Sequence, residues 1–246
     1  MSKYPVLKNA PIVEAVLDIR VELPEDVTLA TLEPFCNSIK ERFPGKKERV
    51  SFKAGFELSQ VGHKVATSNV PCGYILNSLN NDKVVQARLD GFTFSKLKPY
   101  ETWGALRSEA RELWEHYFQI TNPVKVIRIA LRYINRIEIP LSMNDFKEYI
   151  STTPEIAPKL PQALSHFFMQ LCIPKPDIGA EAIITETMGS PTETQRLPLI
   201  FDIDVFKITA YVGNKLEMWD EFEKLRAFKN DIFFNSITKK TEEMFK

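Results

Sequence analysis

Along 12–23 every odd position is apolar, and most of the even ones are charged. Val13, Ala15, Leu17, Ile19, Val21 and Leu23 take the odd positions, and Glu14, Asp18, Arg20 and Glu22 stand among the even ones. A period of two predicts a strand with one face in the core, and Pro11 and Pro24 bound it. The same alternation recurs at 50–58, through Val50, Phe52, Ala54, Phe56 and Leu58. Strands are also predicted at 74–79 and 84–97. Asn80-Asn81-Asp82 joins them as a hairpin of residues that tolerate left-handed backbone. Residues 124–139 are rich in β-branched side chains between Pro123 and Pro140, which predicts one long strand. Arg128, Arg132 and Arg136 then lie on one side of it. Further strands are predicted at 167–173, 180–187 and 198–211, with a polar loop at 188–196.

The spacing changes to helical elsewhere. Leu32, Phe35, Cys36, Ile39 and Phe43 predict a helix over 32–43 that ends at Pro44-Gly45. Trp103, Leu106, Ala110, Leu113, Trp114 and Tyr117 predict another over 101–119. Trp219, Phe222, Leu225, Phe228, Ile232, Phe233 and Ile237 predict one long closing helix over 216–244. Short helices are expected at 143–150 and 161–166.

This order reads as an α+β fold: a mainly antiparallel sheet with long helices on one face. It also suggests an internal duplication of a β-α-β-β-β-α unit, with pseudo-repeats at 1–120 and 121–246 packed as one compact unit. Trp103, Leu106, Tyr117 and Phe118 match Trp219, Phe222, Phe233 and Phe234 at equal offsets. Arg20-Val-Glu-Leu-Pro24 matches Arg136-Ile-Glu-Ile-Pro140.

Composition narrows the function classes. The chain has 246 residues, 32 basic against 32 acidic, so its formal net charge is zero. That removes the basic footprint of a general nucleic-acid binder and argues against such a partner. The three cysteines, Cys36, Cys72 and Cys172, are far apart and form no CxxC pair. Reduced, mostly buried thiols are expected in place of a disulfide framework or a zinc site. No signal-peptide pattern opens the chain, and no apolar run reaches the roughly 18 residues a spanning helix needs. A cytoplasmic protein without a membrane partner is the expectation.

No phosphate-loop, nucleophile-elbow or zinc-protease motif occurs. His63, His116 and His166 are isolated. One constellation stands out. Glu14, Asp18, Arg20 and Glu22 share a face of the first strand, and Arg128, Arg132 and Arg136 share a face of the long central one. Asp202 and Asp204 share a face of the last. Guanidiniums grip phosphate or carboxylate oxygens bidentately. Asp202 and Asp204 are also a candidate pair for Mg²⁺, a hard cation that takes oxygen ligands. The plainer reading is a set of cross-strand ion pairs.

The stretches Asn9–Glu22 and Val126–Ile137 resemble the opening and central signatures of a sporadically distributed, uncharacterised prokaryotic family about as long as this chain. The function of that family is not established, so the resemblance implies a prokaryotic protein and transfers no site residues. Two readings follow. One is a non-enzymatic binding or regulatory module, an accessory component such as one of phage defence, with a protein partner or self-association. The other is a metal-dependent enzyme or sensor that binds a phosphate-containing small molecule on the charged face.

Overall fold

The computed structural model describes residues 3–59, 62–189, 195–212 and 216–246, with the backbone alone for 52–59, 62–68 and 216. The strand alternation becomes a single nine-stranded sheet. In chain order its strands are β1 (Ile12–Glu22), β2 (Gly45–Ser59), β3 (Gly62–Asn77), β4 (Lys83–Arg88), β5 (Gly91–Leu97), β6 (Lys125–Pro140), β7 (Phe168–Lys175), β8 (Ala180–Met188) and β9 (Arg196–Tyr211). Their spatial order is β2-β3-β4-β5-β1-β6-β9-β8-β7, and every neighbouring pair is antiparallel. The helices are α1 (Leu29–Ser38), α2 (Trp103–Thr121), α3 (Leu216–Ser236) and the short α4 (Lys239–Glu243).

The first prediction lands as a strand that is buried on its odd side. Ala15, Leu17 and Ile19 have no exposed surface. The antiparallel register carries that parity across the sheet, so Ile129 and Leu131 of β6 and Ile203 and Val205 of β9 lie on the same buried side. Aromatic side chains fill the space above it. Phe92 meets Phe35 of α1 edge-on at 6.3 Å and lies 6.1 Å from Trp114 of α2, while Phe201 stacks on Phe233 of α3 at 6.1 Å. Each such side chain contributes roughly 1.5–3 kcal/mol by leaving water.

Several expectations are corrected. Strand takes 42% of the chain and helix 28%, with three helices of seven or more residues. The fold is therefore a large antiparallel sheet, and the expected α+β layer of long helices along one face is not what forms. The expected β-α-β-β-β-α unit does not recur element for element. The part up to Thr121 holds five strands and two helices. The part after it holds four strands, α3, α4 and two 3₁₀ turns, Phe146–Glu148 and Pro176–Ile178. The matching tryptophans occupy different settings. Trp219 is buried in the core, whereas Trp103 opens α2 half-exposed and donates from Nε1 to Glu223 Oε1 at 2.7 Å.

The long closing helix breaks after Ser236. Ile237 pairs with Ile150 in an isolated bridge, and Thr238 caps α4 by accepting from Thr241 N at 3.3 Å. The expected helix at 143–150 shrinks to the turn Phe146–Glu148, and 161–166 is irregular behind Pro161. The strand expected at 84–97 is two strands joined at Leu89-Asp90. The hairpin at Asn80-Asn81-Asp82 forms, with Asn81 at φ 54°. Residues 190–194 of the expected polar loop and the His63 side chain lie outside the description. Among the described helices none is long and apolar enough to cross a membrane. The cysteines are free; Cys36 is buried, Cys72 half-buried and Cys172 exposed.

Candidate functional site

The even residues of β1 point away from the helices, and register gathers a basic row there. Arg49 of β2 stands opposite Gly73, Gly73 opposite Arg88, Arg88 opposite Gly91, Gly91 opposite Arg20, and Arg20 opposite Arg128. Four arginines and two glycines thus cross six adjacent strands in one line. The glycines leave room for the long side chains between them. A Cβ on Gly91, whose φ is +148°, would lie 2.2 Å from Ile19 O and 3.1 Å from an Arg88 guanidinium nitrogen. Arg88 can therefore lie flat over β5 and reach β1.

Asp18 organises this row. Its carboxylate accepts from Arg88 Nη2 at 2.8 Å, the Thr93 hydroxyl at 2.7 Å, Arg20 Nε at 3.2 Å and Arg128 Nη1 at 3.3 Å. Arg88 is only 3% exposed, which demands such partners, and it also donates to Thr93 and to Asp90 Oδ1 at 2.9 Å. Burial works to raise the Asp18 carboxyl. The charge and hydrogen bond of Arg88, the Thr93 hydroxyl and the charge of Arg20 outweigh it, so its pKa falls below the ordinary carboxylate value. Arg20 also pairs with Asp90.

Arg128 bridges onward from Asp18 to Asp204 Oδ2 at 3.2 Å and lies 4.6 Å above the Phe206 ring. Asp204 behaves differently from Asp18. Its Oδ1 is buried and, among the described residues, has no hydrogen-bond partner. Burial raises its pKa despite Arg128 and Arg132, with Asp202 and Asp18 pushing the same way. Arg132 makes a forked pair with Asp202, with Nε–Oδ1 at 3.0 Å and Nη2–Oδ2 at 2.5 Å, which raises the guanidinium's pKa further.

These side chains surround one open cleft of about 710 Å³ on the charged face. Five arginines (20, 49, 88, 128 and 132) and three aspartates (18, 90 and 204) line it, an excess of two positive charges. Val16, Ile127 and Ile208 add apolar surface. Arg49 is its least committed cation. It donates to Cys72 Sγ at 3.2 Å and, among the described residues, has no carboxylate partner.

The fold brings Asp18, Arg20, Arg128, Arg132 and Asp204 together, as their shared faces suggested. Asp202 is occupied by Arg132 and Glu14 acts on Arg132 only as a nearby charge; neither lines the cleft. Glu22 pairs with Lys125 at 2.8 Å at the strand end. Arg136 pairs with Glu138 at 2.6 Å and borders a separate hollow with Lys98 and Arg196. Sequence reasoning missed Arg49, Arg88, Asp90 and Thr93. The Asp90-Gly91 pair, a common hairpin dipeptide, was the signal that could have split 84–97 and put Arg88 beside Asp18.

The chemistry on offer is anion binding. Guanidinium donors face a shared space. Among the described residues no group of three or more His, Cys, Asp or Glu side chains is placed to hold a metal ion. Asp202 and Asp204 spend oxygens on Arg132 and Arg128, so the Mg²⁺ reading draws no support from this geometry. Compared with protein-family models and with curated proteins, the chain matches none.

Proposed function

We propose that this chain is a non-enzymatic, cytoplasmic binding module of the prokaryotic family its signatures resemble, and that it takes a phosphate-containing small molecule in the arginine cleft. The observation that carries this reading is the transverse row Arg49, Arg88, Arg20 and Arg128, with its excess positive charge. Neighbouring strands are about 4.8 Å apart, so the row from β2 to β6 spans roughly 24 Å if flat. That length suits a ligand with several anionic groups, a nucleotide or a short polyphosphate, better than a single phosphate. Binding is favoured over catalysis because Asp18 is fully engaged in holding arginines.

The test is thermal unfolding with ATP, pyrophosphate and tripolyphosphate, each with and without Mg²⁺. A ligand at about 100 times its Kd adds roughly 2.7 kcal/mol, which raises Tm by about 5–10 °C for a chain of this size. Arg49→Ala should abolish the shift while leaving the unliganded Tm within about 1 °C, because Arg49 holds no ion pair among the described residues. No shift with any of the three, or a full shift in Arg49→Ala, refutes the reading. A shift that requires Mg²⁺ supports the metal-dependent alternative in its place.

A self-associating module is the second reading. Edge strand β7 exposes Phe168 and Ile173 beside unpaired backbone groups, a surface onto which a second copy can add a strand. A monomer mass by light scattering at high concentration rules it out.

A further inference from the structure

Helix α3 carries a lysine on its inward side. Lys229 lies four residues after Leu225 and four before Phe233, both buried. Its Nζ stands 3.9 Å from the centre of the Tyr133 ring, and the Tyr133 hydroxyl hydrogen-bonds that of Tyr100 at 3.1 Å. Among the described residues no carboxylate pairs with it. The nearest cation on its helix, Arg226, is itself turned to Glu223 at 3.6 Å.

The lysine borders a hollow of about 310 Å³ on the buried side of the sheet, distinct from the arginine cleft. Leu7, Ile12, Trp103, Phe233 and Phe234 give it apolar walls. The N-terminal segment forms its roof. Tyr4 stacks on Phe234 at 4.5 Å and donates to Asp231 Oδ1 at 2.6 Å, and Lys3 pairs with the same oxygen at 2.8 Å. The titratable groups around the hollow are Tyr4, Lys8, Tyr100, Glu101, Tyr133 and Arg226. Glu101, the one carboxylate among them, faces Lys96 at 3.7 Å.

Lys229 is half-buried at the edge of this hollow, and among the described residues no carboxylate neutralises its ammonium. Desolvation first, and the charge of Arg226 second, push the Lys229 amine down to about 7. The Tyr133 ring face favours the charged form but does not offset that loss. About half of the side chain is then an unprotonated amine at neutral pH, against less than a thousandth of an ordinary lysine. A desolvated amine beside a second cation, opening on an apolar hollow, is the arrangement that activates lysine toward carbonyl compounds.

We propose that Lys229 forms a reversible imine with a small aldehyde or ketone of apolar or aromatic body that enters this hollow. The amine lone pair adds to the carbonyl carbon. The carbonyl oxygen leaves as water with both amine protons, and a C=N bond replaces the C=O and the two N–H bonds. No oxidant or reductant is needed.

The test treats the full chain with benzaldehyde at pH 7, reduces it with cyanoborohydride and maps the adducts by mass spectrometry. Lys229 should label at least about tenfold faster than the exposed lysines, given its larger neutral fraction. Lys229→Arg, which keeps a long cationic side chain, should lose that fast adduct and keep the slow surface background. Its melting curve establishes that it folds. Labelling of Lys229 no faster than the exposed lysines overturns the proposal, as does a fast adduct that survives in Lys229→Arg or maps to Lys8. If benzoate raises Tm, benzaldehyde gives no fast adduct, and Lys229→Met removes the benzoate effect, Lys229 is a charged anchor for carboxylates and the imine proposal falls.

Discussion

Asp18 and Glu186 are carboxyl groups on opposite faces of the same sheet, the first half-buried and the second fully buried, and they meet opposite fates. Asp18 lies on the charged face and accepts from three guanidiniums and a hydroxyl. Its pKa falls below the usual value. Glu186 projects from β8 into the core, is 1% exposed, and among the described residues neither carboxyl oxygen has a hydrogen-bond partner. Burial alone pushes it up to about 7. Burial raises both carboxyls, and the supply of donors is what turns the shift of Asp18 downward. Arg88 and Lys229 repeat the lesson with cations. The first is buried against Asp18 and Asp90, whereas the second is half-buried with no carboxylate partner among the described residues, and its amine is pushed down to about 7.

The sharpest way to break the contrast is to remove Asp18. Asp18→Ala leaves the Arg88 guanidinium buried with only Asp90 and Thr93, and losing one partner of a buried pair costs about 3–5 kcal/mol. A Tm lower by about 6–20 °C in calorimetry is expected. A change under about 2 °C would mean that water already serves Arg88.

Glu186→Gln should act in the opposite sense and depend on pH. The folded pKa of Glu186 is raised, so its contribution to stability is whole below the usual 4.5 and is lost as pH rises through about 7. That interval corresponds to about 3 kcal/mol. In urea unfolding the variant should gain roughly that amount over the wild type between pH 5 and pH 8. Equal gaps at the two pH values would show that Glu186 finds a partner once ionised. Asp18, with its lowered pKa, moves the other way and withdraws its stabilisation only as pH falls below the ordinary carboxylate range.

The smallest of the three effects belongs to Gly91→Ala. The added methyl meets Ile19 O and the Arg88 guanidinium in a backbone conformation that side chains disfavour. A loss of about 2 kcal/mol is expected, together with weakened anion binding because Arg88 is displaced. A calorimetric Tm and an ATP titration on one sample separate the two, and unchanged binding would show that Arg88 is not needed for the ligand.

The sequence made part of this legible. The alternation of β1 announced both its buried and its charged face, and the four-residue spacing of Arg128 and Arg132 placed them on the face that Asp18 shares. Arg49 and Arg88 could not be read in that way. Their place beside Arg20 depends on registers that join strands far apart in the chain, and no local period records a register. The break at Leu89-Asp90 was hidden by apolar residues running on both sides of it. Lys229 was invisible for another reason. A lysine within a helical stripe reads as solvent-facing, and only the packing of α3 against Tyr133 turns it inward.

The central position of β1 has a consequence for synthesis. β1 pairs with β5 on one side and β6 on the other, and its contacts with β5 join residues from Arg20–Gly91 to Glu14–Leu97. At translation rates of about 5–20 residues per second, β1 waits roughly 4–16 s for its first neighbour and longer for its second. Through that interval Ala15, Leu17, Ile19 and Val21 have no sheet to join. The nascent chain thus carries an adhesive segment ahead of its partners, and the charged residues alternating along that segment are what keep it from sticking to other chains while it waits.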